Sequence, residues 1–259
     1  MPATVTALSI TPIKGTQLRS VDRVHLDERG VRENRRFFLI DERDEMVNAL
    51  HLGALNTIVA GYSDADRRLI LSFPDGRVLQ DEVRLGQELL TSFYEEPTPA
   101  RLVLGDWSEA ISEHVGTPLR LVEAGDEGAV DRRTNGPVTL ISRGSLARLA
   151  DQAQGANIDA RRFRMLIEVD GIEAHEEDAW VGEVVRAGEA VLHGRGHVGR
   201  CVITNRHPET GEIDLQTLKI LGRYRRGVET TEPVAFGIYG EVVQGGTVRV
   251  GDTVAVDPG

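Results

Sequence analysis

The chain is poor in cysteine, in aromatic residues and in positive charge. Among its 259 residues there is one cysteine, Cys201, and only 5% are aromatic. A lone thiol excludes an internal disulfide framework and a multi-cysteine zinc site, and it fits a reducing compartment. No run of about 18 apolar residues occurs, so no transmembrane helix is predicted. The opening Met1-Pro2-Ala3-Thr4-Val5-Thr6-Ala7-Leu8 lacks a basic region and reads as a strand, not a signal peptide. The formal net charge of -11 argues against general nucleic-acid binding. Together these absences predict a cytoplasmic protein with neither a membrane nor a nucleic-acid partner. No internal repeat or low-complexity segment is present.

What remains is ordinary for a globular protein: 40% hydrophobic and 27% charged residues, long enough for one large domain or two modest ones. Arginines cluster despite the acidic balance, at Arg32, Arg35 and Arg36, at Arg132 and Arg133, at Arg161, Arg162 and Arg164, and at Arg195 and Arg200. Such clusters are solvated surface, or they are loops converging on one anionic ligand.

Short strands dominate the pattern. They are predicted at Thr4 to Ile13, Val21 to Leu26 and Phe37 to Ile40, with a hairpin through Pro74-Asp75-Gly76. Residues 107–118 read as a helix closed by Gly116-Thr117-Pro118. A polar stretch from Gly125 to Pro137 reads as a lid or boundary. The strand Val138 to Ile141 leads into a helix from Ser142 to Ala150. A charged strand spans Phe163 to Val169, and Glu183 to Leu192 is a hairpin. Asp214 to Tyr224 is a short helix, and the tail from Ala235 to Val256 is strand-rich. The predicted class is α+β, strand-rich and barrel-like.

Three motifs compete for attention. Gly194-Arg195-Gly196-His197-Val198-Gly199 fits the dinucleotide fingerprint, but β-like Val202-Ile203 follows it and Pro208 blocks an early helix, so that reading fails. His193, His197 and Cys201 recur at i, i+4 spacing, yet the intervening glycines oppose the helix a zinc site would need. Glu176, Glu177 and Asp178 beside Trp180 suit acid/base chemistry or a solvated face. No GxSxG elbow exists. Cys201 itself can pack as a small hydrophobe, act as a nucleophile, or ligate a soft metal. Arg200 and His197 beside it favour a reactive thiol, and the glycines allow a bulky ligand close to the backbone.

Arg200-Cys201-Val202-Ile203-Thr204-Asn205, with Pro208-Glu209-Thr210-Gly211 and Leu215-Gln216-Thr217-Leu218, resembles the signature of MOSC-domain proteins. Arg162-Phe163-Arg164, Glu177-Asp178-Ala179-Trp180-Val181-Gly182 and Phe236-Gly237-Ile238-Tyr239 are similar to three further elements of that family. Pro12-Ile13-Lys14-Gly15 and Arg36-Phe37-Phe38-Leu39 are similar to the N-terminal β-barrel domain of the amidoxime-reducing, YcbX-like subfamily. The resemblance implies a smaller barrel-like domain at 1–105 and a MOSC β-barrel domain at 106–259.

It also implies a molybdenum–molybdopterin cofactor. Cys201 would be the metal ligand. Lys14, Arg36, Ser142, Arg143, Arg164, Gly199, Arg200 and Tyr239 would hold the pterin and its phosphate, and Asp178 would relay protons. The chain departs from the family pattern at Gly15, at Asn48-Ala49-Leu50, at Met165-Leu166 and at Val198, where serine, an arginine-bearing element, proline-asparagine and cysteine are usual. The activity implied is reduction of small N-hydroxylated compounds. A fused iron–sulfur cluster needs cysteines this chain lacks, so a separate flavin, haem or ferredoxin-type electron carrier is expected, and no PLP domain is present. The alternatives are a sulfur carrier with a persulfide on Cys201, and a diverged MOSC protein with another substrate or no cofactor.

Overall fold

A computed structural model describes residues 2–125, 131 and 135–257. Among these, seven strands close into a barrel. In order round its wall they are Ile167–Asp170, Val138–Ser142, Ala235–Gln244, Ala190–Gly199, Val184–Ala187, Thr253–Val256 and Ala3–Ile10, which pairs back onto the first. Only Val138–Ser142 and Ile167–Asp170 run parallel, and their crossover carries the helix Arg143–Gln152. Closure leaves no unpaired edge in the wall. Period-two alternation fills the interior with Val5, Leu8, Ile10, Leu140, Ile167, Val169, Leu192 and Ile238. The alternation of Ala3–Ile10 slips once, at a β-bulge between Val5 and Ala7.

A second unit packs a five-stranded sheet (Met46–Val47, Phe37–Ile40, Arg120–Ala124, Glu96–Leu104, Arg84–Phe93) near a three-stranded one (Val59–Ser63, Arg68–Ser72, Val78–Glu82). The unbroken run Phe37–Ile40 is apolar because both its faces are buried. Phe37 and Leu39 face the core with Leu69, Leu71 and Trp107, while Phe38 and Ile40 face Phe93 and Val122.

These cores do not follow a division at 105/106. Ala3–Ile10 belongs to the C-terminal barrel, and the helix Trp107–Val115 and strand Arg120–Ala124 complete the first unit. The reason is pairing partners far away in sequence. The hairpin at Pro74-Asp75-Gly76 forms, with Ser72 opposite Val78. Both long helices begin close to their predicted starts. Ser142 caps Arg143–Gln152, its Oγ accepting from the Ser145 N–H at 3.0 Å. The predicted helix from Asp214 starts later, at Thr217. Two predictions were incomplete. The strand Ala190–Gly199 runs well past Leu192 because its glycines allow close packing: a Cβ on Gly194 would lie 2.1 Å from the Trp180 carbonyl oxygen. Phe163 ends a 3-10 turn, and only Ile167–Asp170 is strand. Most of the expected polar lid lies outside the described residues. No helix among the described residues is long and apolar enough to cross a membrane.

Candidate functional site

Cys201 is exposed and follows the barrel strand Ala190–Gly199, at the start of the 3-10 turn Val202–Asn205. Its carbonyl accepts from the Thr204 N–H at 3.2 Å and from Thr204 Oγ1 at 3.0 Å, so the backbone is held while the thiol stays accessible. Buried Arg162 holds the other side of this loop. It donates to the carbonyls of Thr204 and Arg206 and grips both Asp214 oxygens at 3.0 Å.

The thiol lines a cleft of about 410 Å³ between the two units. Five of the predicted site residues meet there: Lys14, Arg164, Gly199, Arg200 and Cys201. Arg35 joins them. Lys14 and Arg35 both donate to the Asp131 carboxylate. Burial opposes charge on Asp131, yet the two cations outweigh it and hold the carboxyl well below its usual range. Arg164 differs. Its guanidinium donates to the Thr16 carbonyl at 2.8 Å, and among the described residues no carboxylate lies within 4.0 Å of it. Burial, then the neighbouring Arg35, lower its pKa to about 10.

The remaining predicted residues lie elsewhere. Arg36 donates to Glu123 at 2.6 Å and to Asp64 at 3.0 Å, away from the cleft. Arg35 takes the expected place because its backbone turns left-handed, with φ of 53°. Ser142 does start a helix, but the carboxylate of Glu177 already fills that N-terminus. Glu177 accepts from Ser142 N–H at 3.2 Å, Ser142 Oγ at 2.8 Å and Ser145 Oγ at 2.6 Å. Arg143 faces a larger groove of about 720 Å³, with Glu168 at 3.6 Å and Asp170 at 4.0 Å. That groove contains neither the thiol nor Arg164, so the smaller cleft is the candidate site. Tyr239 packs over Gly196. Asp178 pairs with Arg225 at 2.6 Å, and His197 lies 4.0 Å from Asp178. Arg200 lines the cleft, but its guanidinium donates to the Phe163 carbonyl at 2.8 Å, the Phe236 carbonyl and Met165 Sδ. It braces the loop rather than covering the thiol.

Residues that the sequence did not assign to the site complete the walls: Asn48, Tyr94, Thr139 and Asp131. The departures from the family pattern have local explanations. Gly15 sits at φ +98°, and a Cβ there would come within 3.1 Å of the Ala49 nitrogen. Leu166 fills the barrel core, and Leu50 and Met165 supply apolar cleft wall.

The MOSC domain model matches residues 112–255, and the MOSC N-terminal beta barrel domain model matches residues 2–103. This chain belongs to the MOSC family. Among curated MOSC relatives, mitochondrial amidoxime reducing component 2 of Rattus norvegicus is 35% identical over 125 residues, 46% of this chain and 36% of that protein. The aligned stretch thus spans about a third of that relative. Mitochondrial amidoxime-reducing component 1 of Xenopus laevis is 25% identical over 284 residues, 96% of this chain and 81% of that protein. Molybdenum cofactor sulfurase of Oryza sativa subsp. japonica is 25% identical over 281 residues, 92% of this chain and 33% of that protein.

The MOSC resemblance implies a molybdenum cofactor, and the cleft's chemistry is compatible with one. It offers one thiol, a guanidinium with no carboxylate partner among the described residues, and two further cations paired with the Asp131 carboxylate. Such a set suits a thiophilic metal carried on an anionic, phosphate-bearing group.

Proposed function

We propose that this MOSC protein is a molybdenum-cofactor-dependent reductase that removes oxygen from nitrogen in small N-hydroxylated compounds. The single observation that carries the reading is an accessible thiol, Cys201, sharing one cleft with Arg164, which has no carboxylate partner among the described residues. The names of the amidoxime-reducing relatives support the same chemistry.

Cys201 would ligate the metal, and Arg164, Lys14 and Arg35 would hold the anionic part of the cofactor. When bound, that group supplies the two-electron redox chemistry. The balance is R–NHOH plus two electrons and two protons giving R–NH2 and water. Electrons come from a separate carrier protein. The chain's own residues orient and enclose. Arg162 and Arg200 fix the loop that carries the thiol. Leu50, Met165 and Ile203 give the cleft an apolar side that limits water beside the thiol.

The test is molybdenum content of protein made in a host that synthesises the cofactor, beside Cys201→Ala. Near-stoichiometric metal, lost in the variant and accompanied by amidoxime reduction with a chemical reductant, is expected. Absence of molybdenum from both proteins rejects the proposal. The exposed thiol and the sulfurase relative would then favour a persulfide carrier, read by mass spectrometry of Cys201.

A further inference from the structure

The strands Arg84–Phe93 and Glu96–Leu104 pair with Phe93 opposite Glu96, so their turn is only Tyr94-Glu95. Both residues are left-handed, with φ of 51° and 68°. Such a turn ordinarily takes Asn-Gly or Asp-Gly, because at positive φ the Cβ crowds the following carbonyl oxygen, which glycine avoids and Asn or Asp offsets by local hydrogen bonds. A tyrosine in this position carries strain that a glycine would relieve, and it does so at the wall of the Cys201 cleft.

The ring is held in place from behind. Buried Asn48 donates from Nδ2 to the Tyr94 hydroxyl at 3.1 Å, and its own Oδ1 accepts from the Leu50 N–H at 2.7 Å. Phe93, buried against Phe38, meets the Tyr94 ring edge-on at 5.0 Å. The Lys14 ammonium sits 5.4 Å from its centroid. Despite these contacts Tyr94 remains 59% exposed. A fixed ring with an open surface makes an aromatic wall in a cleft that also holds apolar Leu50, Met165 and Ile203 and the cations Lys14, Arg35 and Arg164.

We propose that Tyr94 is a specificity-determining residue of this site, a stacking wall that favours flat, ring-bearing substrates over small aliphatic ones. The inference rests on the proposed reductase reading. Aromatic stacking fixed in advance contributes to binding without the entropic loss of ordering a free side chain.

The test compares benzamidoxime with acetamidoxime, which differ in a ring against a methyl group, in wild type, Tyr94→Phe, Tyr94→Ala and Tyr94→Gly. The ratio of kcat/KM values for the two substrates should fall about tenfold in the alanine and glycine variants, mostly through KM, and persist in the phenylalanine variant. Tyr94→Gly also separates recognition from folding. Relief of the left-handed strain should leave its thermal midpoint at or above wild type while the preference is lost. An unchanged ratio in Tyr94→Ala and Tyr94→Gly overturns the proposal.

A second readout keeps it independent of the metal. Modification of Cys201 by 2,2′-dithiodipyridine, relative to methyl methanethiosulfonate, should slow in Tyr94→Ala. Equal relative rates in wild type and variant overturn the aromatic wall even if the protein proves to hold no molybdenum. Absence of metal with slowed aryl modification would reject the reductase reading and leave the wall standing.

Discussion

Arg162 and Arg164 flank one phenylalanine, yet they sit in opposite electrostatic surroundings. The Arg162 side chain is 2% exposed and grips both oxygens of Asp214 while donating to two loop carbonyls. Arg164 has turned through a left-handed backbone, φ 56°, and donates to one carbonyl. The first is an internal tie whose hydrogen bonds hold the Cys201 loop. The second faces a cleft, and among the described residues no carboxylate lies within 4.0 Å of it. The same residue type thus supports the fold at one position and offers itself to a ligand two residues later. Among the described residues, what differs is whether a carboxylate from elsewhere in the chain arrives to meet it.

The largest effect should come from breaking the tie. Arg162→Ala takes the guanidinium donors from Asp214 and from the Arg206 carbonyl, while the Thr204 carbonyl keeps its bond from Thr217 Oγ1. Removing one partner of a buried pair costs about 3 kcal/mol or more, and partial exposure of Asp214 keeps the value near that lower end. Urea denaturation measures it. A loss below about 1 kcal/mol would mean that Arg162 is no more structural than Arg164, and the contrast between them would collapse.

Arg164→Met should do the reverse. It removes one hydrogen bond to Thr16 but also a half-buried charge crowded by Arg35, so stability should change by no more than about 1 kcal/mol. Binding of inorganic pyrophosphate, followed by its protection of Cys201 from iodoacetamide, should weaken about tenfold. Full retention of that protection would remove Arg164 from the anion site.

How far the chain could be read in advance follows the same division between local and distant partners. Cys201, Lys14, Arg164, Gly199 and Arg200, named from separate motifs, line one cleft. Arg36, expected at the site by resemblance, lies outside the cleft that Arg35 lines, and the left-handed torsion at Arg35 leaves no mark in residue order. Ser142 was correctly placed at a helix start, but the anion that fills it is Glu177, which only the folded crossover brings back. Asp178 looked free for proton relay until Arg225, on the turn after a helix far along the chain, paired with it. Tyr94 was invisible for another reason: its two-residue turn lacks the glycine or asparagine by which such turns announce themselves. The barrel was legible as many short strands. Its closure by Ala3–Ile10 was not, since pairing partners are not encoded locally.

Asp131 offers the finest test of the contrast, because it stands between the two kinds of arginine. It is a carboxylate from elsewhere in the chain, as Asp214 is, but it meets Lys14 and Arg35 inside the cleft. Its folded pKa is depressed below the unfolded value of 3.8, so its contribution to stability is fully present above that pH and is lost as pH falls toward the folded value. Asp131→Asn should therefore lower stability at neutral pH and flatten its dependence on pH below about 4. The same change frees two cations for an external anion, and pyrophosphate affinity should rise at least about fivefold, since one competing unit charge at about 4 Å is worth about 1 kcal/mol even when screened as in water. Lower stability with unchanged affinity would make Asp131 a tie like Asp214. Higher affinity would make it a placeholder that a ligand displaces, and the cleft's cations would then differ from Arg162 in having a partner that can be exchanged.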